Sequence, residues 1–335
     1  MPLLEIKNIH KRYRMKNQNQ SLINSLSGIF KKNHSNHPSL HALGGVSFEI
    51  QENESVGLVG ESGCGKSTLV KAICRLTDIN EGEIFLNGVD ISAITPNKFG
   101  HTSHRSQIQV VFQDSHESLN PRYTAFQCIA DPLKNILHIR DKTQLENKIN
   151  ELADMVSFPR ELLHRLPHQL SGGQKARINI ARAIAVSPRL LILDEPTSAL
   201  DVSIQAVILK LLVKLRKELN MSYLFVSHDL NVVRMLCDKI IVMYMGKVVE
   251  TGDAKTLYYK PAHPYTNALI SSIPSINKTN RVILDGEISS PIDPDPNVCR
   301  FSGRCPKSVN QCQIEQPLLH EISSQHFVAC HFVDP

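Results

Sequence analysis

One stretch of this chain makes chemical sense only with a polyphosphate on it: Gly60-Glu-Ser-Gly-Cys-Gly-Lys-Ser-Thr68. Glycines at 60, 63 and 65 let the backbone curl and turn successive N–H groups inward. The result is an anion nest that ends at a helix N-terminus. Glu61, Ser62, Cys64 and Thr68 complete the loop. Lys66 has the reach for β- and γ-phosphates, and the Ser67 hydroxyl suits Mg²⁺. The flanks agree, since 54–60 reads as a short buried strand and 67–74 as the helix that follows it. A second element supplies acids: Leu190-Leu-Ile-Leu-Asp-Glu-Pro196 is an apolar strand that ends in two carboxylates. Alone it reads as a strand leaving the core. Beside a phosphate loop, Asp194 takes a metal role and Glu195 that of a general base orienting water for in-line attack.

Between the two lies Leu170-Ser-Gly-Gly-Gln174, which as a bare string could cap any helix. In this place it makes the chain resemble the ATP-binding subunit of an ATP-binding-cassette (ABC) transporter. The resemblance implies that Ser171, Gly172, Gly173 and Gln174 close over the γ-phosphate of ATP held by a partner subunit, so that hydrolysis requires dimerisation. It also implies that Tyr13 stacks on adenine, although that residue alone also reads as a solvent-facing strand tyrosine. Gln113 matches the glutamine that contacts Mg²⁺ and the attacking water. Ser198-Ala-Leu-Asp201, with Asp201, matches the loop that crosses the dimer interface. His228, in Val226-Ser-His-Asp229, matches the histidine that senses the γ-phosphate and supports Glu195. Ala176 departs from the more usual pattern after the glutamine, which touches only the contacts of that helix.

Narrower matches lie at Val111-Phe-Gln-Asp-Ser-His-Glu-Ser-Leu-Asn-Pro-Arg122 and at His263-Pro-Tyr-Thr266, followed by Leu269 and Pro274. Both resemble oligopeptide and dipeptide permeases, and the loop spelling with Cys64 resembles the ATPase subunit conventionally lettered F. This implies an importer of di- or oligopeptides. Its partners would be a second, different ATP-binding subunit, two transmembrane permease subunits and an extracytoplasmic peptide-binding protein. Permeases for other solutes, such as nickel chelates, share these features. A soluble ATPase of DNA repair or translation is opposed by the single cassette, the modest charge and the His-Pro-Tyr-Thr extension. A binding-only module is opposed by Glu195 and His228.

The eight cysteines are unevenly spread. Cys64, Cys74, Cys128 and Cys237 read as small packing residues. Cys299, Cys305, Cys312 and Cys330 crowd the end of the chain. A reducing cytosol disfavours disulfides there, and so small a segment holds little core of its own, so a metal staple is expected. The spacing lacks the paired C-x2-C steps of common zinc sites. Val298-Cys-Arg-Phe-Ser-Gly-Arg-Cys-Pro306 and Val328-Ala-Cys-His331 resemble the segments that accompany a [4Fe–4S] cluster in peptide-permease relatives. Iron–sulfur, zinc and unliganded cysteines all stay open.

The elements that must position these residues follow from the pattern. The 335-residue chain carries a net charge of +5 that is not gathered into runs, which gives no case for nucleic acid. Its apolar runs fall short of the roughly 18 residues that cross a bilayer. Its first residues lack a secretory signal, so a cytosolic protein, peripheral on the inner face of the cell membrane, is expected. Strands are expected at 3–14, 41–50 and 107–113, with a hairpin over 82–90 at its Asn-Gly turn. A helical subdomain is expected at about 114–170. Helix and strand then alternate as 172–187, 189–194, 202–220, 222–227, 229–237 and 239–244, which implies a parallel sheet covered on both faces. The fold class is therefore α/β, and the resemblance implies a P-loop, RecA-like ABC nucleotide-binding domain over 1–260 with an antiparallel β-subdomain. The resemblance also implies a C-terminal extension of oligopeptide-permease type over 261–335, within which a linker at 291–296 leads into the cysteine-bearing tail. Residues 15–40 read as a loose insertion, with a membrane-skimming helix as the alternative.

Overall fold

The computed structural model describes residues 1–15, 37–113, 118–273, 282, 284, 286 and 290–333. Residues 16–36 of the expected insertion, residues 114–117 after Gln113, and Pro274 lie outside the described residues. In chain order the strands are β1 (Leu4–Arg14), β2 (Ser39–Ile50), β3 (Ser55–Val59), β4 (Glu81–Leu86), β5 (Val89–Asp90), β6 (Ile108–Val111) and β7 (Leu190–Asp194). They continue with β8 (Ser222–Ser227), β9 (Lys239–Tyr244), β10 (Lys247–Asp253), β11 (His320–Ser323) and β12 (His326–Val328). The helices are α1 (Lys66–Ile73), α2 (Pro96–Phe99), α3 (His104–Gln107), α4 (Ala125–Asn135), α5 (Lys142–Met155) and α6 (Gly172–Ile184). After them come α7 (Val202–Leu219), α8 (Leu230–Leu236), α9 (Ala254–Tyr259) and α10 (Pro264–Ser271). Among the described residues no helix is long and apolar enough to cross a membrane.

Strands β2-β1-β4-β5 form an antiparallel sheet. Its β4–β5 hairpin turns at Asn87 and Gly88, both with positive φ, as a twist-matched two-residue turn requires. The central sheet has the order β11-β12-β10-β9-β3-β8-β7-β6. The five strands from β9 to β6 run parallel. Every residue of β7 and β8 is buried, as strands covered on both faces demand. Alternation splits these strands between two cores. Leu58, Ile192, Leu224 and Ile241 pack with α1 and the antiparallel sheet, while Leu193, Phe225 and Val242 pack with the helical subdomain. Each such side chain contributes about 1.5–3 kcal/mol of burial.

Three departures from sequence expectation have local causes. The strand expected over 107–113 shortens to β6, because Gln107 closes α3 and its carbonyl accepts from Arg189 N–H. The linker at 291–296 lies along the edge of β2: His41 N–H donates to Pro291 at 2.8 Å and Asp293 N–H to Ser39 at 2.9 Å. The cysteine-bearing tail joins the central sheet, since β12 pairs antiparallel with β10, Glu250 facing Val328 and Thr251 facing Phe327. A segment too small for its own core has borrowed an edge strand to cover.

Candidate nucleotide site

Parallel strands deliver their C-terminal ends to one sheet edge, and four of them carry the predicted residues there. β3 runs into residues 60–65, β6 ends just before Gln113, β7 ends in Asp194 with Glu195 next, and β8 is followed by His228. A cleft of ≈ 710 Å³ opens at this edge, walled by Tyr13, Ser62, Gly63, Gly65, Lys66, Ser67, Thr68, Gln113, Glu195 and His228. Gly65 sits at φ +108, where an added Cβ would stand 2.5 Å from the Ala42 carbonyl oxygen. Only glycine fits that step into α1. Lys66 is buried, and its ammonium donates to the carbonyls of Gly60 (2.6 Å) and Glu61 (3.0 Å), with the Cys64 sulfur 3.7 Å away.

The acids are held differently from each other. Asp194 is buried at its strand end, where burial, then neighbouring Glu195, pushes its carboxyl up from the usual range while Lys66 and Lys71 pull it down. A cation beside it would reverse that balance, and Ser67, Gln113 and Asp194 supply the hard oxygen donors that Mg²⁺ prefers. Glu195 adopts φ +47, a left-handed conformation that costs a non-glycine residue about 1 kcal/mol or more. Its N–H donates to Val226 at 2.9 Å, and its carbonyl accepts from Ser198 N–H at 3.2 Å, so both sides of the residue are pinned. The carboxylate accepts from the Gln113 amide (Nε2–Oε2, 3.0 Å) and lies 3.3 Å from His228 Nδ1. A carboxylate held by two side chains and open to a wide cleft can orient water and take its proton.

Tyr13 lines the same cleft, with the Lys11 ammonium 4.9 Å from its ring centroid. Leu40, Ala42, Ser290 and Pro291 also line the cleft. Sequence reasoning missed these four, and the only signal for the last two was the proline run of the linker. Gly60, Glu61, Cys64 and Asp194 do not line the cleft themselves; the Glu61 carboxylate instead pairs with Arg304, 2.7 Å away.

The structure does not bring Ser171, Gly172, Gly173, Gln174 or Asp201 into this cleft. Ser171 caps α6 in a reciprocal box, its hydroxyl accepting from Gln174 N–H (3.3 Å) and the Gln174 side chain accepting from Ser171 N–H (2.9 Å). Gly172 and Gly173 lie so close to Leu200 and Ile204 that added Cβ atoms would come within 3.2 and 2.8 Å. Asp201 precedes α7 and is exposed.

Cys64, Cys74, Cys128 and Cys237 are buried, as packing residues should be. Burial pushes the Cys74 and Cys237 thiols up to about 12 and Cys128 to about 11, which leaves them protonated and inert. The tail cysteines share one neighbourhood: burial first, then Cys312, Cys305 and Cys330, raises the Cys299 thiol. Among the described residues no three His, Cys, Asp or Glu side chains converge tightly enough to hold a metal ion. The expected metal staple is therefore not formed as a single-ion site here.

Comparison with known proteins accords with this geometry. A family profile described as ABC transporter matches residues 43–198, and one described as oligopeptide/dipeptide transporter, C-terminal region, matches residues 249–312. The chain is 44% identical over 312 residues to the oligopeptide transport ATP-binding protein AppF of Bacillus subtilis, covering 91% of this chain and 92% of that one. It is 40% identical to a putative peptide import ATP-binding protein of Brucella ovis, covering 91% and 96%. Among solved structures it resembles the ATP-binding cassette MJ0796, a dimer in a post-hydrolysis state bound to ADP and Pi. The TM-score is 0.62 at 30% identity, over 75% of this chain and 98% of that one. Fold and site thus define an ATP-binding cassette that hydrolyses ATP with Mg²⁺. The chain belongs to the ATP-binding subunits of ABC transporters of the oligopeptide/dipeptide permease family.

Proposed function

We propose that this subunit energises uptake of di- and oligopeptides from the cytoplasmic face of the cell membrane, working head-to-tail with a second, different ATP-binding subunit. The observation that carries the peptide reading is the match of residues 249–312 to the C-terminal region of oligopeptide and dipeptide transporters. The ATPase occupies 1–260 and the family extension 261–335. Lys66 and the loop amides hold the phosphates, while Ser67, Gln113 and Asp194 hold Mg²⁺. Glu195 takes the proton of the attacking water, His228 and Gln113 fix its carboxylate, and Tyr13 stacks on adenine. Ser171 to Gln174 and Asp201 serve the partner's nucleotide, a reading supported by a capped helix N-terminus whose residues do not line their own subunit's cleft. Closure on ATP and reopening after hydrolysis would pass through the helical subdomain to two membrane-spanning subunits, fed by an extracytoplasmic binding protein.

The test is reconstitution with the cognate subunits in liposomes. Peptide-loaded binding protein should stimulate ATP hydrolysis and peptide uptake together. Stimulation by a nickel chelate and not by peptides would replace the substrate while leaving the ATPase intact.

We further propose that Cys299, Cys305, Cys312 and Cys330 ligate a [4Fe–4S] cluster. Their shared neighbourhood supports a common cationic partner: burial first, and then the neighbouring cysteines, raises the Cys299, Cys305 and Cys330 thiols. A cluster binds each thiolate at a different corner, so its ligands need not converge on one point as they must for zinc. When bound, the cluster would staple the tail. Protein purified without oxygen should be brown, with about four irons and four sulfides per chain; colourless, iron-free protein from that preparation rules the cluster out.

A further inference from the structure

The phosphate loop is held from behind by the tail. The Glu61 carboxylate accepts two bonds from the Arg304 guanidinium, Nη1–Oε2 at 2.7 Å and Nη2–Oε1 at 3.3 Å. The Arg304 side chain is 10% exposed. Glu61 N–H donates to the hydroxyl of buried Tyr265 at 2.8 Å, and the Glu61 carbonyl accepts from Lys66 at 3.0 Å. Every polar group of Glu61 is thus partnered: its carboxylate and N–H by residues beyond 260, and its carbonyl by the lysine of the phosphate site. A second thread runs beside the first. Arg300 donates to the Met245 carbonyl, and the next residue, Gly246, donates its N–H to the Cys64 carbonyl at 2.8 Å. Between the arginines, the Phe301 ring packs on Tyr244 and Tyr265 at 5.1 and 5.5 Å. Three side chains of the Cys299–Cys305 segment therefore support the loop that grips phosphate.

We propose that Arg304 is a positioning residue for nucleotide binding: by clamping Glu61 it sets the carbonyl that holds Lys66, so the docked state of the cysteine tail is read out as ATP affinity. The proposal rests on nucleotide binding at residues 60–68. A forked guanidinium–carboxylate pair fixes direction as well as distance, which a single point charge does not. Without it the loop and Lys66 must be ordered when ATP arrives, and that entropy is taken from affinity. Arg304 makes no contact with Glu195, Gln113 or His228 among the bonds above, so the effect falls on binding and not on the chemical step.

The experiment measures the Kd of the purified full chain for MgATP, and KM and kcat in the assembled transporter. Arg304→Met should weaken binding about tenfold, equivalent to about 1.4 kcal/mol, and raise KM while leaving kcat near wild type. Arg304→Lys should recover part of the loss. Glu61→Gln should also weaken binding, and the double variant should be no worse than Arg304→Met alone, because both remove one interaction. Wild-type affinity in Arg304→Met, additive losses in the double variant, or a defect confined to kcat would each overturn the proposal. Glu61→Gln changes only a loop side chain, so wild-type affinity there overturns it even if Arg304→Met fails to fold. A wild-type chain that binds no MgATP refutes the nucleotide site itself, and the clasp with it.

Discussion

Among the described residues, two glutamate–histidine pairs look alike on paper and sit in opposite surroundings. At the nucleotide edge, Glu195 lies 3.3 Å from His228, with side chains 16% and 64% exposed. Where the tail meets β10, Glu250 lies 2.7 Å from His326, with side chains 0% and 5% exposed. Glu250 also accepts from the backbone N–H groups of Ala262 (2.8 Å) and His263 (3.0 Å). Its carboxylate is sealed among donors that tie β10, β12 and the start of α10 together. Glu195 has two polar neighbours and faces a cleft. Residue type therefore does not separate an open carboxylate from a sealed one; donor count and access to water do.

Exchanging the roles experimentally is the sharpest way to break this comparison. Glu195→Gln keeps size and shape but removes the base, so turnover should fall about a thousandfold, the size of a general-base contribution. ATP binding and melting temperature should hold, and the closed dimer should accumulate; wild-type turnover would sink the assignment. Glu250→Ala should do the reverse. It strands His326 and two backbone donors in the interior, at a cost of about 3 kcal/mol or more of unfolding free energy, read in a urea titration, with nucleotide affinity affected only through the docked tail.

Acid offers a third probe. Burial holds His263 down to about 4 against an ordinary 6.5. The folded state therefore binds fewer protons than the unfolded one between those values. Stability is full above 6.5 and is lost as pH falls through the window, by about 3 kcal/mol at its lower end. His263→Asn, which keeps an acceptor for Tyr265 N–H, should flatten that part of the stability–pH curve; an unchanged slope would show that His263 is not the titrating group. The smallest effect belongs to the cap of α6. Ser171→Ala removes one cap and should cost about 1 kcal/mol of stability. It should leave MgATP binding by the isolated subunit untouched and lower turnover only in the assembled pair.

Much of the nucleotide site was legible in the linear order of residues because its parts are local. A glycine-spaced loop between a strand and a helix, two acids ending an apolar run and a capping box each follow from short-range sterics and hydrogen bonding. The tail was opaque. Arg304 and Glu61 are 243 positions apart, and nothing in Phe-Ser-Gly-Arg-Cys names its partner. The edge pairing of β12 on β10 and the linker along β2 likewise depend on which surfaces remain uncovered once the core has formed.

The sequence by itself determined the phosphate loop, the acids that follow β7, the alternation of helix and strand and the cap of α6, since each is settled within a few turns of chain. Only the tertiary structure decided that four strand ends would share one edge, that Glu195 would stay open while Glu250 was sealed, and that the tail would reach the loop. Those outcomes depend on parallel strand order and on burial, which belong to the packed whole and to no local stretch of chain.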